Sequence, residues 1–322
     1  MRRGVRMILI VLALILLVVV IVPLVIPIPP LKGTKSPEAL ADPDSHFADI
    51  NGVRVHYKIA GQGEPALVLL HGFASSLSSW REVMQPLSKY GTVVAFDRPA
   101  FGLTSRPMPG EWIGQNPYSL DAQVDLTIGL MDHLGIKRGI LVGNSAGGSI
   151  AARTALLHPD RMQALVLVSP AIYDTGGAPG WMRFLLQLPQ MQLLGPLLAR
   201  QFASSGEAFG RSAWHDPSKL TPEIWAGYKK ALRADNWDRG LWEFIRAGRA
   251  SGLAPDLPKL TLPILVITGD DDRIVPTAQS IRLAGELPQA QLVVAPGCGH
   301  VTHEECPQDF MNAVGAFLQG LH

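Results

Sequence analysis

The sequence predicts an α/β fold: a mostly parallel central sheet flanked by helices, with a helical cap inserted late in the chain. Two observations carry this. From about residue 46, segments of strand and helix character alternate, the pattern of a sheet covered by helices. Between Ile172 and Pro255 the alternation stops, and apolar residues such as Trp181, Phe184, Leu185 and Leu188 recur at helical spacing. A chain of 322 residues with 47% hydrophobic content can bury one large core together with a subdomain.

The first element is an apolar run from Met7 to Ile26, broken only by Pro23 and preceded by Arg2, Arg3 and Arg6. At about 1.5 Å per residue it spans roughly 30 Å, the thickness of a bilayer core. Residues 1–30 therefore read as a cytoplasmic tip and membrane anchor, and the basic flank predicts that the rest of the chain lies on the exported side. A cleaved signal peptide is the alternative, and Ala39-Leu40-Ala41 spells a small-residue cleavage site. It lies about a dozen residues beyond the apolar run, where such cleavage normally follows closely. Residues 31–45, carrying Pro, Gly, Ser and Asp, read as a flexible tether.

Val53-Arg54-Val55-His56-Tyr57 alternates with period two and suits an edge strand, whereas Ala66 to Leu70 is a continuous apolar run suited to a buried one. Trp80 to Lys89 reads as a short helix, Thr92 to Phe96 as a strand and Leu120 to Leu134 as an amphipathic helix. Gly139 to Val142 reads as a strand, Ala146 to His158 as a helix rich in small residues, and Ala164 to Val168 as another strand. The cap follows over 172–255. Strands resume at Pro263 to Ile267 and Gln291 to Val294, and a helix from Gln308 to Leu318 closes a core made of 46–171 and 256–322.

Composition excludes several functions. A net charge of +1, from 28 basic and 27 acidic residues, offers no basic surface for nucleic acid. Two cysteines, Cys298 and Cys306, make neither a disulfide-rich scaffold nor a zinc cluster, so no metal centre is indicated; no organic cofactor is expected either. A disulfide between them requires close Cα atoms, which sequence does not show, and would suit an exported chain.

The chemistry begins at Gly143-Asn144-Ser145-Ala146-Gly147, a G-x-S-x-G pentapeptide between a predicted strand and a predicted helix. A serine on so sharp a turn projects its hydroxyl above the sheet, and the glycines allow backbone and helix to approach closely. The following helix N-terminus directs its dipole and free N–H groups at developing negative charge. A weak nucleophile needs a base, and the base an orienting partner. Gly269-Asp270-Asp271-Asp272 and Gly297-Cys298-Gly299-His300 both follow late strands, where loops reach the carboxyl edge of a parallel sheet. Any of the three aspartates fits the spacing.

With these motifs in order, residues 46 to 318 resemble the α/β-hydrolase superfamily in its cap-bearing branch of esterases, C–C bond hydrolases and epoxide hydrolases. The resemblance implies an α/β-hydrolase fold, Ser145 as nucleophile, His300 as base and Asp272 as the orienting acid. The Gly-x-x-Asp pattern before Val275-Pro276 falls on Asp272, leaving Asp270 and Asp271 as turn residues. His71-Gly72-Phe73 matches the family's oxyanion loop, so that the N–H groups of Phe73 and Ala146 would hold an oxyanion. Glu304 also fits the pattern, whereas His303, without a preceding glycine, reads as a nearby surface or pocket residue. Asp97-Arg98-Pro99-Ala100-Phe101-Gly102 is similar to the family's D-x-x-G-x-G turn, with Ala100 in place of glycine; Asp97 reads as structural. His56 and His133 read as ordinary satisfied or solvated imidazoles.

Serine at 145 argues against the relatives that use an aspartate nucleophile. The expected activity is cleavage of small ester-like substrates through an acyl-enzyme. Gly143 to Gly148 also resembles the elbow of C–C hydrolases acting on ring-fission products, which is the alternative, together with a non-catalytic binding protein of the same fold. Five tryptophans, Trp181, Trp214, Trp225, Trp237 and Trp242, fall in the cap. An apolar lid beside a bilayer would suit esters with apolar groups, yet such residues more often pack a cap onto its core. Oligomeric state is not legible.

Overall fold

The computed structural model describes residues 2–25, 27–173 and 180–321. Ile26 and the stretch 174–179, at the ends of the predicted anchor and cap, lie outside the described residues. In chain order the protein runs α1 (Arg2–Val25), α2 (Pro37–Leu40), β1 (His46–Ile50), β2 (Val53–Ala60), β3 (Ala66–Leu70), α3 (Met84–Leu87), β4 (Thr92–Phe96), α4 (Leu120–His133), β5 (Gly139–Asn144), α5 (Ala146–Leu157) and β6 (Met162–Val168). The helices α6 (Gly180–Leu186), α7 (Pro189–Ser204), α8 (Gly206–Ser212), α9 (Pro222–Lys230) and α10 (Trp237–Ala247) follow. The chain ends with β7 (Ile264–Gly269), α11 (Thr277–Glu286), β8 (Ala290–Ala295), α12 (Thr302–Glu305) and α13 (Pro307–Gln319).

The eight strands form one sheet in the order β1-β2-β4-β3-β5-β6-β7-β8, antiparallel at β1/β2 and β2/β4 and parallel elsewhere. Side chains alternate across it. Val68 and Leu70 of β3 join Leu130 of α4 and Ile150 of α5 on one face, while Leu67 and Leu69 join Trp80, Phe310 and Phe317 on the other. Both faces are thus covered, which is why β3, β5 and β6 read as unbroken apolar runs.

Three expectations need correction. The edge strand is β1, not Val53–Tyr57: His46–Ile50 pairs with β2 through the turn Asn51-Gly52, both at positive φ, the signature of a tight hairpin. Residues 31–45 are not a loose tether. Leu40 is buried against Leu103 and Ala234, the Lys35 N–H donates to the Arg233 carbonyl at 2.9 Å, and Asp42 pairs with Lys58 and Lys230. The predicted helix Trp80–Lys89 is instead α3 between two 3₁₀ turns, because Pro86 supplies no N–H and crowds the preceding turn.

Candidate active site

Ser145 stands between β5 and α5 with φ 53° and ψ −119°, a backbone conformation that side chains rarely adopt. Close packing enforces it. A Cβ on Gly143 would lie 2.4 Å from the Gly147 carbonyl oxygen, and one on Gly147 would lie 2.1 Å from that of Leu70. The Ser145 N–H donates to the Val168 carbonyl at 2.9 Å, anchoring the turn to the neighbouring strand.

His300 leaves the end of β8 with its Nδ1 2.8 Å from Asp272 Oδ2 and 3.0 Å from Oδ1. Asp272 is held in turn by the N–H groups of Ile274 and Val275, each 2.9 Å from Oδ1. These contacts fix the imidazole with its proton on Nδ1 and Nε2 free to accept one. Of the three consecutive aspartates, Asp272 is the one that meets the imidazole. Asp270 caps the N–H of Gly297, and Asp271 pairs with His215 and Arg273. Ser145 and His300 line one cavity of about 450 Å³, as do Phe73 and Ala146. The side chain of Asp272 is fully buried behind the histidine.

His71 and Arg98 brace the loop carrying Phe73. His71 Nδ1 donates to the Gly72 carbonyl at 2.8 Å, and its Nε2 accepts from the Arg98 N–H at 3.1 Å. Burial and the Arg98 charge push the His71 pKa down to about 3, so the ring is neutral and keeps that tautomer. The Arg98 guanidinium adds a 2.8 Å bond to the Gly72 carbonyl. A Cβ on Gly72 would lie 3.2 Å from that of Ser145, so the loop backbone packs directly against the nucleophile candidate. Ala100, which departs from the family pattern, holds φ 77°: the turn keeps the conformation that glycine would take without strain.

Asp97 is structural, as expected, and accepts from His56 Nδ1 and from the Leu77 and Leu103 N–H groups, all at 2.7 Å. His56 is buried and satisfied; His133 is exposed. His303, read as a surface or pocket residue, is fully buried instead. The short α12 turns it inward against Trp80, with ring centroids 4.2 Å apart, and neither ring nitrogen finds a partner.

Two neighbouring acids were not assigned roles from sequence. Glu304 bonds Arg81 at 2.5 Å and accepts from the Tyr228 hydroxyl; burial raises its pKa to about 6 against the pull of Arg81. Glu305 accepts from the N–H groups of Gly299 at 2.7 Å, His215 at 2.9 Å and Asp216 at 2.7 Å. His300 N–H also donates to the Ala213 carbonyl at 2.8 Å, so the histidine loop and cap are joined at several points. Only an acid flanking the Gly-His pair hinted at this. Glu305→Ala strands three amides and is expected to destabilise the fold by about 3 kcal/mol, read as a lower urea midpoint with an unchanged m-value. A midpoint unaltered by the change would refute the brace.

Cys298 and Cys306 form a disulfide with Cα atoms 6.2 Å apart. The cap tryptophans divide: Trp214 and Trp242 are buried in packing, Trp225 and Trp237 line the cavity, and Trp181 is exposed.

A buried carboxylate, an oriented imidazole and a serine on a strained elbow define a site able to perform nucleophilic hydrolysis. Residues 65–307 match the family described as alpha/beta hydrolase fold, and the chain belongs to that family. Among its relatives is the 2-hydroxymuconate semialdehyde hydrolase of Pseudomonas sp. (strain CF600), 32% identical over 83% of this chain and 91% of that protein. A meta-cleavage product hydrolase from Pseudomonas fluorescens IP01 is similar in structure, with a TM-score of 0.66 and 28% identity over 86% of this chain and 98% of its own. A membrane phospholipase A, at a TM-score of 0.65 and 25% identity, covers 100% of this chain and 99% of its own.

Proposed function

We propose that the protein is a serine hydrolase of carboxylic esters with apolar acyl groups, anchored in a membrane by α1. The observation that carries the substrate class is the cavity wall. It is built from side chains such as Phe73, Phe202, Phe209, Trp225, Leu232 and Leu241; among its described residues are one lysine, Lys229, and no arginine. Such a wall accepts an acyl chain and offers little to a carboxylate.

In the proposed reaction His300 Nε2 takes the Ser145 proton as Oγ attacks the carbonyl carbon. The Phe73 and Ala146 N–H groups receive the oxyanion, and Asp272 steadies the imidazolium. The C–O bond breaks, His300 returns the proton to the departing alcohol, and an acyl-enzyme remains. Water, deprotonated by His300, then releases the acid and restores Ser145.

The second reading, hydrolysis of a C–C bond in ring-fission products, is favoured by the relatives, whose names include several such hydrolases. It would use the same residues. Purified full-length protein is expected to hydrolyse p-nitrophenyl esters with kcat/KM rising from acetate to octanoate. Turnover of a 2-hydroxy-6-oxo dienoate without turnover of any ester would replace the first reading by the second.

The anchor reading rests on a 23-residue span, Arg3–Val25, long and apolar enough to cross a membrane, with apolar side chains from Met7 to Leu17 exposed, and on the disulfide, which suits an oxidising compartment. The likeness to a membrane phospholipase A extends over the same N-terminal residues. Protease added to intact cells is expected to digest the catalytic domain; full protection would reverse the orientation.

A further inference from the structure

The cap carries apolar surface that the fold leaves uncovered. On α6, Trp181 is 72% exposed, and Phe184 is exposed beside it. On α7, Leu194, Leu198 and Phe202 are exposed at intervals of four residues, which places them in one stripe along the helix. The adjoining flank of α7 is already occupied: Gly195, Pro196 and Ala199 are buried, and a Cβ on Gly195 would lie 1.9 Å from the Trp242 indole. Single exposed apolar residues are ordinary, but a group on two consecutive helices beside a membrane-length helix forms a patch.

Two hydrogen bonds set the level of this patch. Gln190 Nε2 donates to the Val20 carbonyl at 3.2 Å, and Arg200 Nη2 donates to the Pro29 carbonyl at 2.7 Å. Thus α7 runs beside the chain as it leaves α1, in the same direction. Val20 precedes the end of α1 by five residues, so α7 begins, and α6 ends, about 7 Å inside the end of the apolar span. Amphipathic helices lying in a bilayer surface bury their apolar side by about 5–10 Å. From Gln190 the stripe continues for about 18 Å to Phe202, which lines the cavity holding Ser145.

Resting on the anchor reading above, we propose that α6 and the first half of α7 seat the cap in the bilayer that holds α1, and that the Leu194-Leu198-Phe202 stripe leads acyl chains from that bilayer to Ser145. The occupant of the patch is lipid. The depth agreement, the continuity with α1 and the end of the stripe in the cavity all favour lipid over a protein partner.

The test uses full-length protein in phosphatidylcholine vesicles. Both native cysteines are paired, so Trp181→Cys supplies a free thiol for an environment-sensitive nitrobenzoxadiazole probe, with Ile281→Cys on α11 as the control. In protein that floats with the vesicles, the probe at 181 is expected to shift to the blue and to lose emission to lipids carrying a nitroxide in the acyl chain. The probe at 281 should do neither. The double variant Trp181→Ser/Phe184→Ser is expected to lose at least about tenfold in turnover of a vesicle-borne ester, from lost burial of two large side chains, with turnover of a soluble ester unchanged. A probe at 181 that behaves like the one at 281, or equal losses on both esters, overturns the proposal. Protein that no longer floats refutes the anchor instead. A quenched probe at 181 in a protein that hydrolyses no ester keeps the membrane seat and removes the ester reading.

Discussion

Ser145→Ala is expected to lower kcat by about 10⁵–10⁶-fold while leaving the urea midpoint close to that of the wild type. The hydroxyl forms the covalent bond in the proposed reaction, and no other group on the elbow replaces it. His300→Ala should cost as much, and the double variant no more than either, because the two act in one proton transfer. Asp272→Asn should lose about 10⁴-fold, since an amide at 2.8 Å from Nδ1 favours the wrong tautomer. Steady-state kinetics on p-nitrophenyl butyrate, with fluorophosphonate labelling as a second readout, decide the matter. A Ser145→Ala protein that keeps a tenth of wild-type activity would refute the assignment.

Asp97→Ala is expected to destabilise the fold by about 3–5 kcal/mol, the usual cost of removing one partner from a buried charged hydrogen-bonding group. Three donors converge on this carboxylate, from β2, from the turn before Trp80 and from the loop after β4. Burial alone would raise its pKa, but the His56 hydrogen bond and the neighbouring charges outweigh burial and lower it to about 2. A depressed carboxylate pKa gives stability that is fully present above the unfolded value of 3.8 and is lost as pH falls through about 2. Urea titrations between pH 2 and 7 should therefore show a steep acid limb in the wild type and a shallower one in Asp97→Asn. Matching limbs would mean that the carboxylate charge contributes nothing.

What could be read from sequence follows from how local each feature is. The elbow was legible because its serine, glycines, strand and helix are contiguous, and the clashes a Cβ would create at Gly143 and Gly147 leave few alternatives. His300 and Asp272 were legible through short patterns after recognisable strands. Arg98, Glu304 and Glu305 were not, because their meaning lies in distant partners: Arg81 precedes Glu304 by 223 residues. The strand His46–Ile50 escaped because it is an edge strand with polar residues exposed. Residues 31–45 were misread because their composition is that of a linker, while their order comes from ion pairs and one buried leucine.

That fixed segment restricts where the enzyme can work. With Lys35 bound to the cap and Leu40 buried in the core, the nine residues 26–34 are all that separate the helix from the folded domain, and Arg200 holds the Pro29 carbonyl within them. On the anchored reading such a short leash confines the active site to its own bilayer. Substrate supply would then be a surface density, with velocity following the mole fraction of ester among the surrounding lipids and indifferent to how many vesicles share the tube.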